Sequence, residues 1–208
     1  MFVQVLTPET KHVFEKLQGK PWMKKFYLAG GTALALQYGH RQSIDLDWFC
    51  ERSFQTQPFI NRLSQAGVLE LLNVEDGTVD GILDNVKVSF FHFPYKLLRK
   101  TVSLHSVRLA HPLDIACMKL NAIAGRNAKK DFLDLYVFLK REEMDFVKLL
   151  QFADKKFGDT KLDRYHILRS LTYFVEADEQ PMPKMAVPLD WDDVKTFFIR
   201  ETRRISKQ

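Results

Sequence analysis

Apolar and polar positions follow different rhythms in the two halves of the chain. Thr7 to Leu17 opens on Thr-Pro, an N-cap followed by a proline at the first helical position, and predicts a helix. Phe26 to Ala29 is a short apolar strand ended by Gly30-Gly31, and Thr32 to Tyr38 (TALALQY) carries high helix propensity up to Gly39. Thr32 is placed to cap that helix. Ser43 to Phe49 alternates, with Ile44, Leu46 and Trp48 on one face and Asp45 and Asp47 on the other. Phe59 to Ala66 reads as helix. Three strand patterns follow, Val68 to Val74, Thr78 to Leu83 and Val86 to Phe93, with turn chemistry at Asp76-Gly77 and Asp84-Asn85. They predict an antiparallel meander added to the Asp-bearing strand. Val107 to Ala110 is one more strand.

From His111-Pro112 onward the period lengthens to that of helices. Leu113 to Ala124 and Lys130 to Lys140 are separated at Gly125-Arg126-Asn127, and Phe146 to Lys156, Leu162 to Phe174 and Trp191 to Arg204 follow. Glu179 to Pro188, with three prolines, is a linker before the last helix. The pattern predicts an α+β fold, a mixed-sheet α/β unit over residues 1–110 and a helical bundle over 111–208.

Composition narrows the class of protein. Across 208 residues, 46% hydrophobic and 27% charged describe a globular chain, and 17 Phe suit a well-filled core. No apolar run reaches the ~18 residues of a membrane helix, and the N-terminus lacks a signal-peptide layout. The two cysteines, Cys50 and Cys117, have no metal-ligand spacing and read as free buried thiols. A cytoplasmic protein with no membrane partner is the expectation. The net charge of +5 is compatible with a polyanionic partner without requiring one. Basic residues gather at Arg126, Lys129, Lys130, Lys140 and Arg141, and again at Arg200, Arg203, Arg204 and Lys207.

The candidate chemistry lies between Leu28 and Phe49. Residues two apart in a strand share a face, so Asp45 and Asp47 project together, about 7 Å apart along the chain. Like charges side by side repel and resist desolvation unless a cation neutralises them. A hard divalent ion does so, and it also favours phosphate oxygens. A strand with one wet face accounts for Asp-x-Asp equally simply. Gly30-Gly31, between a strand and a helix, has the layout of an anion site, with exposed N–H groups, the positive helix end and no Cβ in the way. Glycine demanded only by the turn is the plain alternative. Strand, Gly-Gly-Thr, helix and then Asp-x-Asp in order combine a phosphate grip with a metal pair.

The segment LAGGTALALQYGHRQSIDLDWF resembles the signature of the AbiEii/AbiGii-type nucleotidyltransferase toxins, a family of the DNA polymerase β-like superfamily. His40, Arg41 and Ser43 match the family's His-Arg-x-Ser segment. The segment DIACMKLNAIAGRNAKKDFLDLY is similar to its helical motif, with Lys119, Lys130, Asp131 and Asp134 at the matching positions. The resemblance implies a nucleotidyltransferase fold in the N-terminal half and an NTP substrate. It implies Mg²⁺ (or Mn²⁺) on Asp45 and Asp47, with Gly30, Gly31, Thr32, Arg41 and Ser43 binding the nucleotide's phosphates. Lys119 is then a charge on the phosphates or the leaving pyrophosphate, and Asp131 assists acceptor or metal. An RNA acceptor, tRNA included, and a cognate antitoxin protein are the implied partners. Read alone, Lys119 suits a solvated helix face, and Asp131 and Asp134 suit a helix start. Many superfamily members carry a third carboxylate on a later strand. Here Ser89 occupies the expected slot, which keeps a catalytically weak nucleotide- or partner-binding domain as the rival reading.

Overall fold

In the computed structural model, which describes residues 1–158 and 163–207, the chain forms two compact units, Met1–His111 and Pro112–Gln208. The first unit is built on a seven-stranded mixed sheet. Its strands are β1 (Tyr27–Leu28), β2 (Leu46–Cys50), β3 (Leu69–Glu75), β4 (Thr78–Leu83), β5 (Val86–His92), β6 (Val102–Leu104) and β7 (Val107–Leu109). Their order across the sheet is β3-β4-β5-β2-β1-β7-β6. The expected meander is present: β3, β4 and β5 pair antiparallel, and β5 joins β2 in parallel. Asp84 and Asn85 both adopt positive φ in the β4–β5 turn, which explains why short polar residues stand there.

Helix α1 (Pro8–Leu17) is capped by the Thr7 hydroxyl, which accepts from the Thr10 N–H. Its Phe14 stacks on Trp48 of β2, and Trp48 stacks in turn on Phe90 of β5. Phe59 of α3 (Thr56–Ser64) meets Phe90 on the same face, with ring centroids 4.6 Å apart. One face of the sheet is thus an aromatic core. The register leaves Asp47, Ser89 and Asp80 on the opposite face.

Helix α2 (Gly30–Tyr38) follows β1 and is buried almost throughout. Two local expectations change here. The helix begins at Gly30, with Ala29 as a cap that offers no side-chain bond, so Thr32 lies in the first turn and does not cap it. The alternation of β2 begins at Leu46: Ile44 is 58% exposed, and Asp45 precedes the strand. The reason is local hydrogen bonding. The Thr10 hydroxyl donates to the Ile44 carbonyl at 3.1 Å and the Ser43 N–H to the Val5 carbonyl, which holds residues 43–45 outside the ladder.

The second unit contains α4 (Pro112–Arg126), α5 (Lys129–Arg141), α6 (Phe146–Phe157), α7 (Arg164–Ser170), α8 (Val175–Asp178) and α9 (Trp191–Ile205). Asn127, at positive φ, separates α4 from α5. The helix expected from Leu162 starts outside the described residues and is interrupted after Ser170. Phe132 of α5 anchors the core against Phe174, Trp191 and Phe198. Asp114 and Lys156 form an ion pair at 2.6 Å with both side chains inaccessible to solvent. Among the described residues, no helix is long and apolar enough to cross a membrane.

Candidate functional site

Strand β1 and helix α2 meet at Ala29-Gly30, and β2 runs antiparallel beside them, with Leu28 opposite Trp48. The Ala29 N–H donates to the Asp47 carbonyl at 2.9 Å, which fixes the start of α2 against β2. Gly30 has φ +63, a left-handed conformation that glycine adopts without cost. A second reason for glycine is contact. A Cβ built on Gly30 would stand 2.5 Å from Asp47 Oδ2 and 3.3 Å from its Cγ. The Asp47 carboxylate therefore lies directly over the backbone at the first turn of α2, where N–H groups without intrahelical acceptors create positive potential.

The polar residues around this contact are used differently. Thr32 is 1% exposed; its hydroxyl is 2.7 Å from Ser43 Oγ and donates to the Asp45 carbonyl. Arg41 is buried and donates from one guanidinium nitrogen to the Gln42 carbonyl at 3.0 Å and to Ser43 Oγ at 3.4 Å. Thr32, Arg41 and Ser43 thus form one hydrogen-bonded knot that holds the segment carrying Asp45. Asp45 and Asp47 themselves are half-buried. Gly30, Gly31, Thr32, Arg41, Ser43, Asp45 and Asp47 all belong to this one corner of the first unit.

Sheet register adds a residue that the sequence reading did not single out. Ser89 of β5 pairs with Asp47 on one side and with Asp80 of β4 on the other. Asp47, Ser89 and Asp80 form a row across three strands on one face. Asp80 was hidden because its strand lies two places from β2, and only the pairing reveals the shared row. Among the described residues, no group of three or more His, Cys, Asp or Glu side chains is gathered closely enough to hold a metal by itself. Asp45 and Asp47 bring oxygen donors of the kind a hard divalent ion takes, but Asp45 precedes β2, so the shared strand face expected of the pair is not what holds the two together.

Lys119, Asp131 and Asp134 come together within the second unit. Lys119 Nζ is 2.6 Å from Asp131 Oδ1 and 2.6 Å from Asp134 Oδ2, with all three side chains buried. Arg126 completes the network with bonds of 2.7 and 3.0 Å to the two Asp131 oxygens. Burial alone would raise the Asp131 carboxyl pKa, but the Lys119 and Arg126 charges outweigh it and hold the group below its ordinary range. Neither an open solvated face nor a simple helix start describes these residues. They are a buried charge cluster, and helical spacing shows only part of it because Lys119 and Asp131 come from different helices.

Comparison with known proteins agrees with this architecture. Residues 13–69 match the profile of the family described as nucleotidyl transferase AbiEii toxin, type IV TA system. An uncharacterized protein of Aquifex aeolicus is 34% identical over 202 residues, covering 95% of this chain and 96% of its own length. The crystal structure of JHP933 from Helicobacter pylori is similar in fold, with a TM-score of 0.53, 16% identity, and coverage of 97% of this chain and 94% of the other. MenT4, a nucleotidyltransferase toxin of Mycobacterium tuberculosis, gives a TM-score of 0.54 at 15% identity, covering 86% and 76% of the respective chains.

Proposed function

The chain belongs to the AbiEii nucleotidyl transferase family, and from that premise we propose that it transfers a nucleoside monophosphate from an NTP to an acceptor with the aid of Mg²⁺ or Mn²⁺. The observation that carries the proposal is the Asp47 carboxylate lying over the Gly30 backbone at the start of α2. Asp45 and Asp47 hold the divalent ion, and the first-turn N–H groups of Gly30 and Gly31 receive the phosphates. Such an ion, when bound, supplies charge neutralisation at the triphosphate. Thr32, Arg41 and Ser43 keep the Asp45 segment in place through their mutual hydrogen bonds and so position the nucleotide's phosphates. Lys119 and Asp131, to which the family resemblance gives a part in the reaction, form a buried ion cluster with Asp134 within the second unit, and removal of that cluster tests the part they play.

The acceptor in this reading is RNA, with tRNA the first candidate, consistent with the basic residues of the helical half. In the cell the chain acts in the cytoplasm as the toxin of a toxin–antitoxin or abortive-infection pair, restrained by a cognate antitoxin protein. One assay separates this from a domain that binds nucleotide without turnover. Purified protein is incubated with Mg²⁺, labelled NTPs and total RNA, and compared with Asp45→Ala/Asp47→Ala. Label transfer lost in the variant supports the enzyme. NTP binding without transfer to any acceptor supports the rival, for which Ser89 beside Asp47 is the favouring observation. Normal growth of a bacterial host expressing the chain alone would count against the toxin role.

A further inference from the structure

The second unit contains a half-open cavity of about 440 Å³ at the junction between α4 and α5, bordered on its other side by α7 and the residues after it. That volume lies in the range of small-molecule sites. One residue shapes its wall, and two further features give it chemical character. The residue is Asn127, only 8% exposed and held at φ +47. Its Nδ2 donates to the Ser170 carbonyl at 3.2 Å, which fixes the orientation of the amide because a carbonyl only accepts. The other end, Oδ1, is a buried acceptor with no hydrogen-bond partner among the described residues. Oδ1 is closed off from the cavity, so Asn127 ties the end of α4 to α7 and shapes the wall.

The first feature is charge. Arg126 and Arg169 both line the cavity, against the single carboxylate of Glu176. Arg126 turns one edge of its guanidinium to Asp131, whereas Arg169 is exposed and makes no ion pair among the described residues. The second is Tyr173, a lining residue that is 47% exposed although the neighbouring Phe174 is buried. A guanidinium suits a phosphate, and an exposed aromatic ring suits the face of a base. Gly125 leaves the wall open, since a Cβ there would meet nothing within 4 Å.

We propose that this cavity is a nucleotide-binding site separate from the Gly30/Asp47 corner, with Tyr173 stacking on the base and Arg169 taking the phosphate. The ligand is a nucleoside monophosphate unit, drawn either from free nucleotide or from a single-stranded RNA. The site stands independently of the activity proposed for the first unit.

The test uses the full chain carrying Asp45→Ala/Asp47→Ala, in EDTA, so that metal-dependent binding in the first unit is silent. AMP, CMP, GMP and UMP, and a short single-stranded RNA of mixed sequence, are titrated by calorimetry and fluorescence anisotropy. Saturable binding is expected, weakened about tenfold by Tyr173→Ala and by Arg169→Ala and retained in Tyr173→Phe, which keeps the ring. Both residues are exposed, and unchanged melting of each variant verifies the fold. Binding of monophosphates identifies a free-nucleotide site, and binding of RNA alone identifies a strand-reading site. Absence of both up to millimolar concentration, or affinities in Tyr173→Ala and Arg169→Ala within twofold of the parent, overturns the proposal.

Discussion

Gly30→Ala isolates the contact on which the proposed chemistry depends. Two penalties are expected and can be separated. The first is conformational: an L-residue at φ +63 costs roughly 1–2 kcal/mol, or about 2–8 °C in Tm for a chain of this size. The second is steric. The new Cβ would lie 2.5 Å from Asp47 Oδ2, whereas ordinary contact begins at 3.4 Å, so the carboxylate must retreat by 3.4 − 2.5 = 0.9 Å. A displacement of about 1 Å in a positioned group can cost about 100-fold in rate. Gly19→Ala is the matched control, because Gly19 has φ +76 but its Cβ would meet only Ser106 Oγ, at 3.9 Å. Both variants should lose stability, and only Gly30→Ala should also lose label transfer from NTP and Mn²⁺ affinity, measured by calorimetry. Wild-type transfer in Gly30→Ala, with a melting loss equal to that of Gly19→Ala, would refute the reasoning.

Other expectations follow from the same geometry. Asp80→Asn should lower transfer by less than Asp47→Asn while leaving Tm near that of the parent, because Asp80 shares the sheet row through Ser89 but lies a strand further away. Asp131, whose pKa is depressed in the fold, contributes stability above its ordinary value of 3.8 that is lost as the pH falls through the lower folded value. Acid titration followed by circular dichroism should therefore show helix loss below pH 3.8, and a transition above it would contradict the assignment. Burial pushes the Cys50 thiol up to about 11 and the Cys117 thiol up to about 12. Native protein at pH 8 should resist iodoacetamide at both positions, and urea-unfolded protein should label at two.

The architecture was legible where local patterns carry it. Thr7-Pro8 marked α1, Asp84-Asn85 marked a hairpin turn, and the strand limits of Thr78–Leu83 could be read directly from alternation. What escaped was set by partners distant in sequence. Residues 43–45 alternate like a strand but are held outside it by Thr10, Val5 and Thr32. The short strand Val102–Leu104 has too few residues to show a period and exists because β7 pairs with it. Asp80 enters the site's row only through Ser89, a relation that sequence spacing cannot express.

Lys119 is where fold and proposed chemistry are hardest to separate, and the ion network supplies the means. Two carboxylates lie at 2.6 Å from its ammonium, so Lys119→Met leaves Asp131 and Asp134 buried with much less compensating charge. Removing one partner of such a cluster typically costs 3–5 kcal/mol. An inactive Lys119→Met protein therefore proves little about phosphate contacts, because partial unfolding alone would silence it. The triple variant Lys119→Met/Asp131→Asn/Asp134→Asn removes the charges together, and apolar or neutral replacement of a whole buried cluster is often tolerated. It should recover most of the melting temperature lost by the single variant. If transfer returns with stability, Lys119 serves the fold alone and its proposed part in catalysis is wrong. If the triple variant is folded, binds Mn²⁺ through Asp45 and Asp47 as the parent does, and still fails to transfer, the cluster acts in the reaction itself.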